Sequence, residues 1–126
     1  MSNDVKKEQV FVDADEFAVA EKEAVNSDYT YTHKFHKPFE YQGKTYNELT
    51  FEWGKLTGKD GLAIENELQQ LGKAVIVPTF SGEYLIRIAA RACTVPLGAD
   101  AFEIMPIADY NKIRSAARSF LLKSEL

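Results

Sequence analysis

The chain reads as an α+β fold: an N-terminal β-hairpin followed by a small bundle of about three helices, with a flexible acidic N-terminal extension. Three observations carry this. Residues 29–41 and 46–53 alternate with a period of two, the mark of strands with one buried face. After Trp53 the apolar residues recur at helical spacing instead. Residues 1–28 hold eight acids against three bases and few large apolar residues, whereas residues 29–126 hold eleven acids against twelve bases. The expected organisation is an extension over 1–28 and one domain over 29–126.

Within the extension, "DADEFAVAEKEAV" has a weak helical pattern in Phe17, Ala20 and Ala24, with Asp15 as a cap. The stripe is too thin for an isolated helix to be stable. In the first strand Tyr29, Tyr31, Phe35, Phe39 and Tyr41 share one parity, and Thr30, Thr32, Lys34, Pro38 and Glu40 the other. Pro38 cannot donate to a ladder, which places the strand at an edge or a bulge there. The turn falls within residues 42–45, with Gly43 taking a positive φ. In the second strand Leu49, Phe51 and Trp53 share a parity. A two-residue turn pairs Phe39 with Tyr46 and turns those three residues to the wrong face. Either the loop has three residues or a bulge near Asn47 resets the register.

Thr57 and Asp60 form a capping-box-like start to a helix carrying Ile64, Leu68 and Leu71, and Gly72 suits its stop. "KAVIVPTF" is a connector. Ser81 caps a second helix with a stripe of Leu85, Ile88, Ala92 and Val95, which Pro96 ends, and Glu83–Arg87 is a favourable i,i+4 pair. "GADAFEIMP" is a short helical turn capped by Asp100. Pro106 stands at the first turn of a last helix with the stripe Ile107, Tyr110, Ile113, Ala117, Phe120 and Leu121. The expected core joins Phe35, Phe39, Leu49, Phe51 and Trp53 of the hairpin to Leu68, Leu85, Ile88, Ile113 and Phe120 of the helices.

Composition narrows the function classes. The 126 residues are 45% hydrophobic and 27% charged, with formal net charge −4. The chain has no basic surplus for nucleic acid, and no apolar run near the roughly 20 residues of a membrane helix. The N-terminus has no apolar h-region, so no signal peptide is expected. The single cysteine, Cys93, fits a reducing compartment and a small buried filler. His33 and His36 have opposite strand parity and diverge, as do Glu65 and Glu67 on a helix. Glu48 and Glu52 lie on a polar strand face, and Gly43-Lys44-Thr45 lacks the upstream glycine of a phosphate loop. No catalytic residue, metal site or cofactor is expected.

The stretches "FEYQGKTYNELTFEWGKLTGKD", "FSGEYLIRIAARACTVP" and "IMPIADYNKIRSAARSFLL" together resemble the tail assembly chaperone family of contractile-tailed bacteriophages. The matching residues are Tyr41, Gly43, Lys44, Tyr46, Glu48 and Leu49 in the hairpin, and Leu56, Thr57, Gly58 and Asp60 at the helix start. Tyr84, Ala89, Ala90 and Ala92 follow, then Pro106, Asp109, Tyr110, Phe120 and Leu121. The resemblance spans about residues 33–122. It implies a non-enzymatic helper in the host cytoplasm that binds the tape measure protein, the tail tube protein or both, with self-association as a further option. Such a helper leaves before the tail is finished; the alternative is a structural tail or baseplate component retained in the particle. A groove between the "EYLIRIAARA" and "DYNKIRSAARSFLL" helices is the expected docking site for a client helix. Tyr84 and Tyr110 lie in those helices, and Arg87, Arg91, Arg114 and Arg118 stand beside the apolar stripes to pair with client acids. The competing expectations are that the arginines form a solvated face and that the stripes meet each other.

Overall fold

The computed structural model describes residues 29–125. The expected acidic extension over residues 1–28 lies outside the described residues. Strand β1 (Thr30–Tyr41) pairs antiparallel with β2 (Lys44–Glu52) in a two-stranded sheet. The hairpin loop has two residues, Gln42 (φ +51°) and Gly43 (φ +78°), and Tyr41 faces Lys44. Two positive φ angles give the turn the twist that antiparallel strands need.

Of the two register solutions open to the sequence, the structure takes the bulge. Phe39 pairs with Tyr46 and Lys34 with Glu48, so residues 35–38 of β1 lie opposite Asn47 alone. Pro38 sits inside this bulge, where a missing N–H costs no ladder hydrogen bond. The reset brings Phe39, Tyr41, Leu49, Phe51 and Trp53 to one buried face.

After a 3-10 turn at Trp53–Lys55, α1 (Gly58–Gln70) opens with the Thr57/Asp60 box: the Thr57 N–H donates to Asp60 Oδ2 at 2.8 Å. It closes at Gly72 (φ +75°), where the Lys73 N–H reaches back to the Leu68 carbonyl at 2.8 Å. A second 3-10 turn (Pro78–Phe80) leads to α2 (Gly82–Ala92), whose Tyr84 N–H donates to Ser81 Oγ at 3.1 Å. Helix α2 ends before Val95 and Pro96, earlier than its apolar stripe predicts. Cys93 forms a bridge with Phe51, and the Thr94 N–H donates to the Thr50 carbonyl at 2.9 Å. These bonds hold the chain extended along β2. The short α3 (Ala99–Glu103) has Gly98, not Asp100, at its cap position. Asp100 instead accepts from the Tyr41 hydroxyl at 3.0 Å. Pro106 immediately precedes α4 (Ile107–Ser124).

Helix α2 is the centre of the molecule. It packs against α1, α3, α4 and β2, and it is buried on nearly every side. Its own Leu85 and, around it, Phe51, Trp53, Ile64, Leu68, Phe102 and Ile113 are fully buried. Phe35 and Phe120 are half-buried and pack against this core. The dense aromatics of the hairpin stack along its inner face: Phe35 on Phe39 with centroids 5.1 Å apart, Phe51 on Trp53 at 5.4 Å, and Trp53 on Phe120 at 5.9 Å. Among the described residues no helix is long and apolar enough to cross a membrane.

Candidate docking surface

The four arginines and two tyrosines placed by sequence at one groove occupy different environments. Arg87 is 7% exposed and ties α1 to α2: its Nε donates to Glu67 at 2.9 Å and its Nη1 to Glu83 at 2.6 Å. Burial alone would lower its pKa, but the bonds to Glu67 and Glu83 outweigh that and raise it. A hydrogen bond from Lys73, with a further one from Arg87, holds the Glu83 carboxyl below its ordinary value despite partial burial. Tyr84 is buried, with its hydroxyl close over Gly61. Arg91 is exposed and donates to Asp60 at 2.8 Å. Arg118 donates to the Thr79 carbonyl at 2.8 Å and lies over the Phe80 ring. Arg114 lies over the Tyr110 ring. The apolar stripes of α2 and α4 meet each other, so the space between these helices is filled by their own side chains.

An open cleft lies instead where the first turns of α2 and α4 meet α3. Gly82, Glu83 and Ile86 form one wall, Phe102, Glu103 and Met105 the floor and far side, and Ile107 and Tyr110 the other wall. A Cβ on Gly82 would stand 3.0 Å from the Tyr110 hydroxyl, so glycine there permits the walls to close to this distance. Two large apolar side chains stand at the surface here, Ile104 at 62% and Ile107 at 69% exposure. Glu103 puts a carboxylate at the opening, while the Glu83 carboxylate is already paired with Lys73 and Arg87. Of the six residues placed by sequence, only Tyr110 lines this cleft. Sequence reasoning passed over Ile104 and counted Ile107 in the apolar stripe of the last helix, where the structure leaves it exposed instead of packed. Their signal was the crowding of Phe102, Ile104, Met105 and Ile107 into six residues, more apolar surface than a five-residue helix can bury.

A buried polar contact fixes the α4 wall. His33 is 2% exposed, and its Nε2 lies 2.8 Å from Asp109 Oδ1. Its Nδ1 lies 3.0 Å from the Tyr31 hydroxyl. A carboxylate only accepts, so Nε2–H donates to Asp109, and in the neutral ring Nδ1 is then the acceptor for the Tyr31 hydroxyl. This joins β1 to the first turn of α4, one residue before Tyr110. His36 is exposed on the other side of the bulged strand. Among the described residues no group of three or more His, Cys, Asp or Glu side chains is placed to hold a metal ion. Cys93 is buried, and burial pushes its thiol above the ordinary value, which disfavours a reactive thiolate.

A family model described as phage tail assembly chaperone proteins, E, or 41 or 14, matches residues 32–122. No curated protein and no solved structure gives a significant match to the chain.

Proposed function

Because the chain belongs to the phage tail assembly chaperone family, we propose that it is a non-enzymatic chaperone which covers apolar helical segments of the tape measure protein, the tail tube protein or both. It does so in the host cytoplasm before tube polymerisation and is absent from the mature tail. The observation that carries this reading is the apolar, acid-edged cleft at the junction of α2, α3 and α4, with Ile104 and Ile107 held out to solvent. An amphipathic client helix laid there buries its apolar stripe against Ile86, Met105, Ile107 and Tyr110. A basic residue flanking that stripe meets Glu103.

The test is co-expression with the tape measure and tube proteins, followed by pulldown. Ile104→Glu and Ile107→Glu change exposed side chains, so the fold should keep its stability to within about 0.5 kcal/mol, while capture falls at least tenfold. Arg91→Glu, away from the cleft, leaves capture intact. If both isoleucine variants capture normally while Lys34→Glu or Glu52→Lys on the hairpin abolishes it, the docking site is the sheet and the cleft reading is wrong. Protein analysis of purified particles separates the chaperone from a retained structural component, which would be present at fixed stoichiometry.

A further inference from the structure

The hairpin has an open edge. The Trp53 N–H donates to the Tyr29 carbonyl at 2.7 Å, and bonded pairs alternate along an antiparallel ladder. Tyr31 with Phe51 and His33 with Leu49 are therefore the bonded pairs, and Thr30, Thr32 and Lys34 turn their N–H and C=O groups away from β2. The far side of β2 keeps the same phase: the carbonyl of Thr50, which faces Thr32, accepts from the Thr94 N–H at 2.9 Å. That bond and the Phe51–Cys93 bridge cover part of the β2 edge. On the β1 side, among the described residues, no backbone group pairs with the outward groups of Thr30, Thr32 or Lys34. All three side chains are exposed. An edge of this kind is a template for another strand.

The open stretch is short, and both its ends are stops. Tyr29, with φ +52°, breaks the extended line before Thr30. The bulge breaks the register after Lys34. Thr32 stands at the middle. A second copy running antiparallel, with Thr32 opposite Thr32, lays Thr30 against Lys34 and the Tyr29 break against the start of the bulge. Both chains then stop at the same places. The solvent face falls into three rows of facing side chains. The middle row joins Thr50 and Thr32 of one copy to Thr32 and Thr50 of the other, extending the 3.0 Å contact between the Thr32 and Thr50 hydroxyls. In each outer row Glu48 and Lys34 of one copy meet Thr30 and Glu52 of the other. Within its own sheet Glu52 faces Thr30, not a cation. The second copy brings Lys34 to two strand spacings, about 10 Å, which the two long side chains can bridge.

We propose that two copies of the chain pair edge to edge along Thr30–Lys34 to form one continuous four-stranded antiparallel sheet. Each facing pair exchanges both of its backbone hydrogen bonds. A register shifted by two residues sets Thr30 against His36 and runs each chain into the other's bulge. A foreign strand meets the same backbone groups without the matched stops or the complementary outer rows. Lysine at an edge ordinarily discourages pairing; here Lys34 is the cation that the Glu52 row lacks. The contact is small, so the dimer is reversible. Self-pairing at this edge is independent of the docking proposed at the cleft.

Sedimentation velocity on the full chain, without a client, tests it. The wild type should pass from monomer to dimer as its concentration rises. Lys34→Glu and Glu52→Lys should each weaken dimerisation about tenfold, since each sets like charges across the contact in both outer rows. Mixing the two variants should restore it, because the mixed pair again joins opposite charges across both rows. Thr32→Pro removes an outward N–H and no ladder bond, and should leave a cooperatively melting monomer. Thr32→Cys should give a disulfide-linked dimer on mild oxidation, because the Cα atoms of a bonded pair lie about 5.5 Å apart. Glu40→Cys, beyond the bulge, should not. A wild-type chain that stays monomeric at millimolar concentration overturns the proposal. So does a dimer indifferent to Thr32→Pro and to both charge variants, which would place the contact elsewhere. So does a Thr32→Cys variant that crosslinks to an added client and not to itself. Should Thr32→Pro fail to fold, the exposed-charge variants and their mixture decide the matter.

Discussion

Asp109 and His33 are 76 residues apart in sequence and 2.8 Å apart in the fold. Nothing local announces their pairing. Strand parity puts His33 on the same face as Phe35, which gives its direction but not its partner. Asp109 is legible as a polar residue within an apolar helix start and as part of the family resemblance, but neither names His33 as its partner. Truncating Asp109 strands the Nε2–H of a buried ring. A buried donor left unsatisfied costs about 1–3 kcal/mol, so Asp109→Ala should lower stability by about 2–3 kcal/mol in urea denaturation. His33→Ala combined with Asp109→Ala should cost clearly less than the sum of the two single changes. Additive losses would show that the two side chains are energetically independent.

Helices and strands were legible wherever their ends are written locally. Thr57, Asp60 and Gly72 bracket α1 by capping chemistry alone. The end of α2 was not legible, because strand-like bonds from Cys93 and Thr94 to β2 override the helical stripe. In the hairpin the parity conflict was visible, but the choice between a longer loop and a bulge belonged to packing. The bulge makes a sharp prediction. Deleting both His36 and Lys37 keeps Phe35 and Phe39 on one face and should leave a folded protein of somewhat lower melting temperature. Deleting His36 alone turns one half of β1 outward and should abolish cooperative melting. The helix starts also set the response to acid. The Thr57 backbone hydrogen bond first, then Arg91, holds the Asp60 carboxyl below its ordinary value, and Lys73 and Arg87 do the same for Glu83. Depressed carboxylates contribute stability above their unfolded pKa values and lose it as pH falls through the folded ones. Denaturation midpoints should therefore be flat above about pH 5 and fall below about pH 4. In Asp60→Asn the fall should be shallower.

At the scale of the molecule, helical spacing identified the arginines as a set but could not say which way each points. Arg87 is turned inward because Glu67 of α1 and Glu83 of its own helix meet it there, a convergence that exists only after α1 has docked. The α+β order and most of the core were readable from periodicity. The cleft was not, since it arises from the way three helix ends fail to fill one corner. Because α2 touches nearly every other element, the domain should unfold as one unit. Its calorimetric enthalpy near 60 °C should be about 70 kcal/mol at the usual value per residue, equal to the van't Hoff value. Two separate transitions would contradict this. Trp53, the only tryptophan of the chain, is wholly buried between Phe51 and Phe120, and its indole N–H has no hydrogen-bond partner among the described residues. The protein thus carries its own optical gauge: emission stays blue while the aromatic stack holds and moves to the red when water reaches it. Since Trp53 does not line the cleft, a variant that loses its client with an unchanged spectrum has lost recognition, and one whose spectrum shifts has lost its fold.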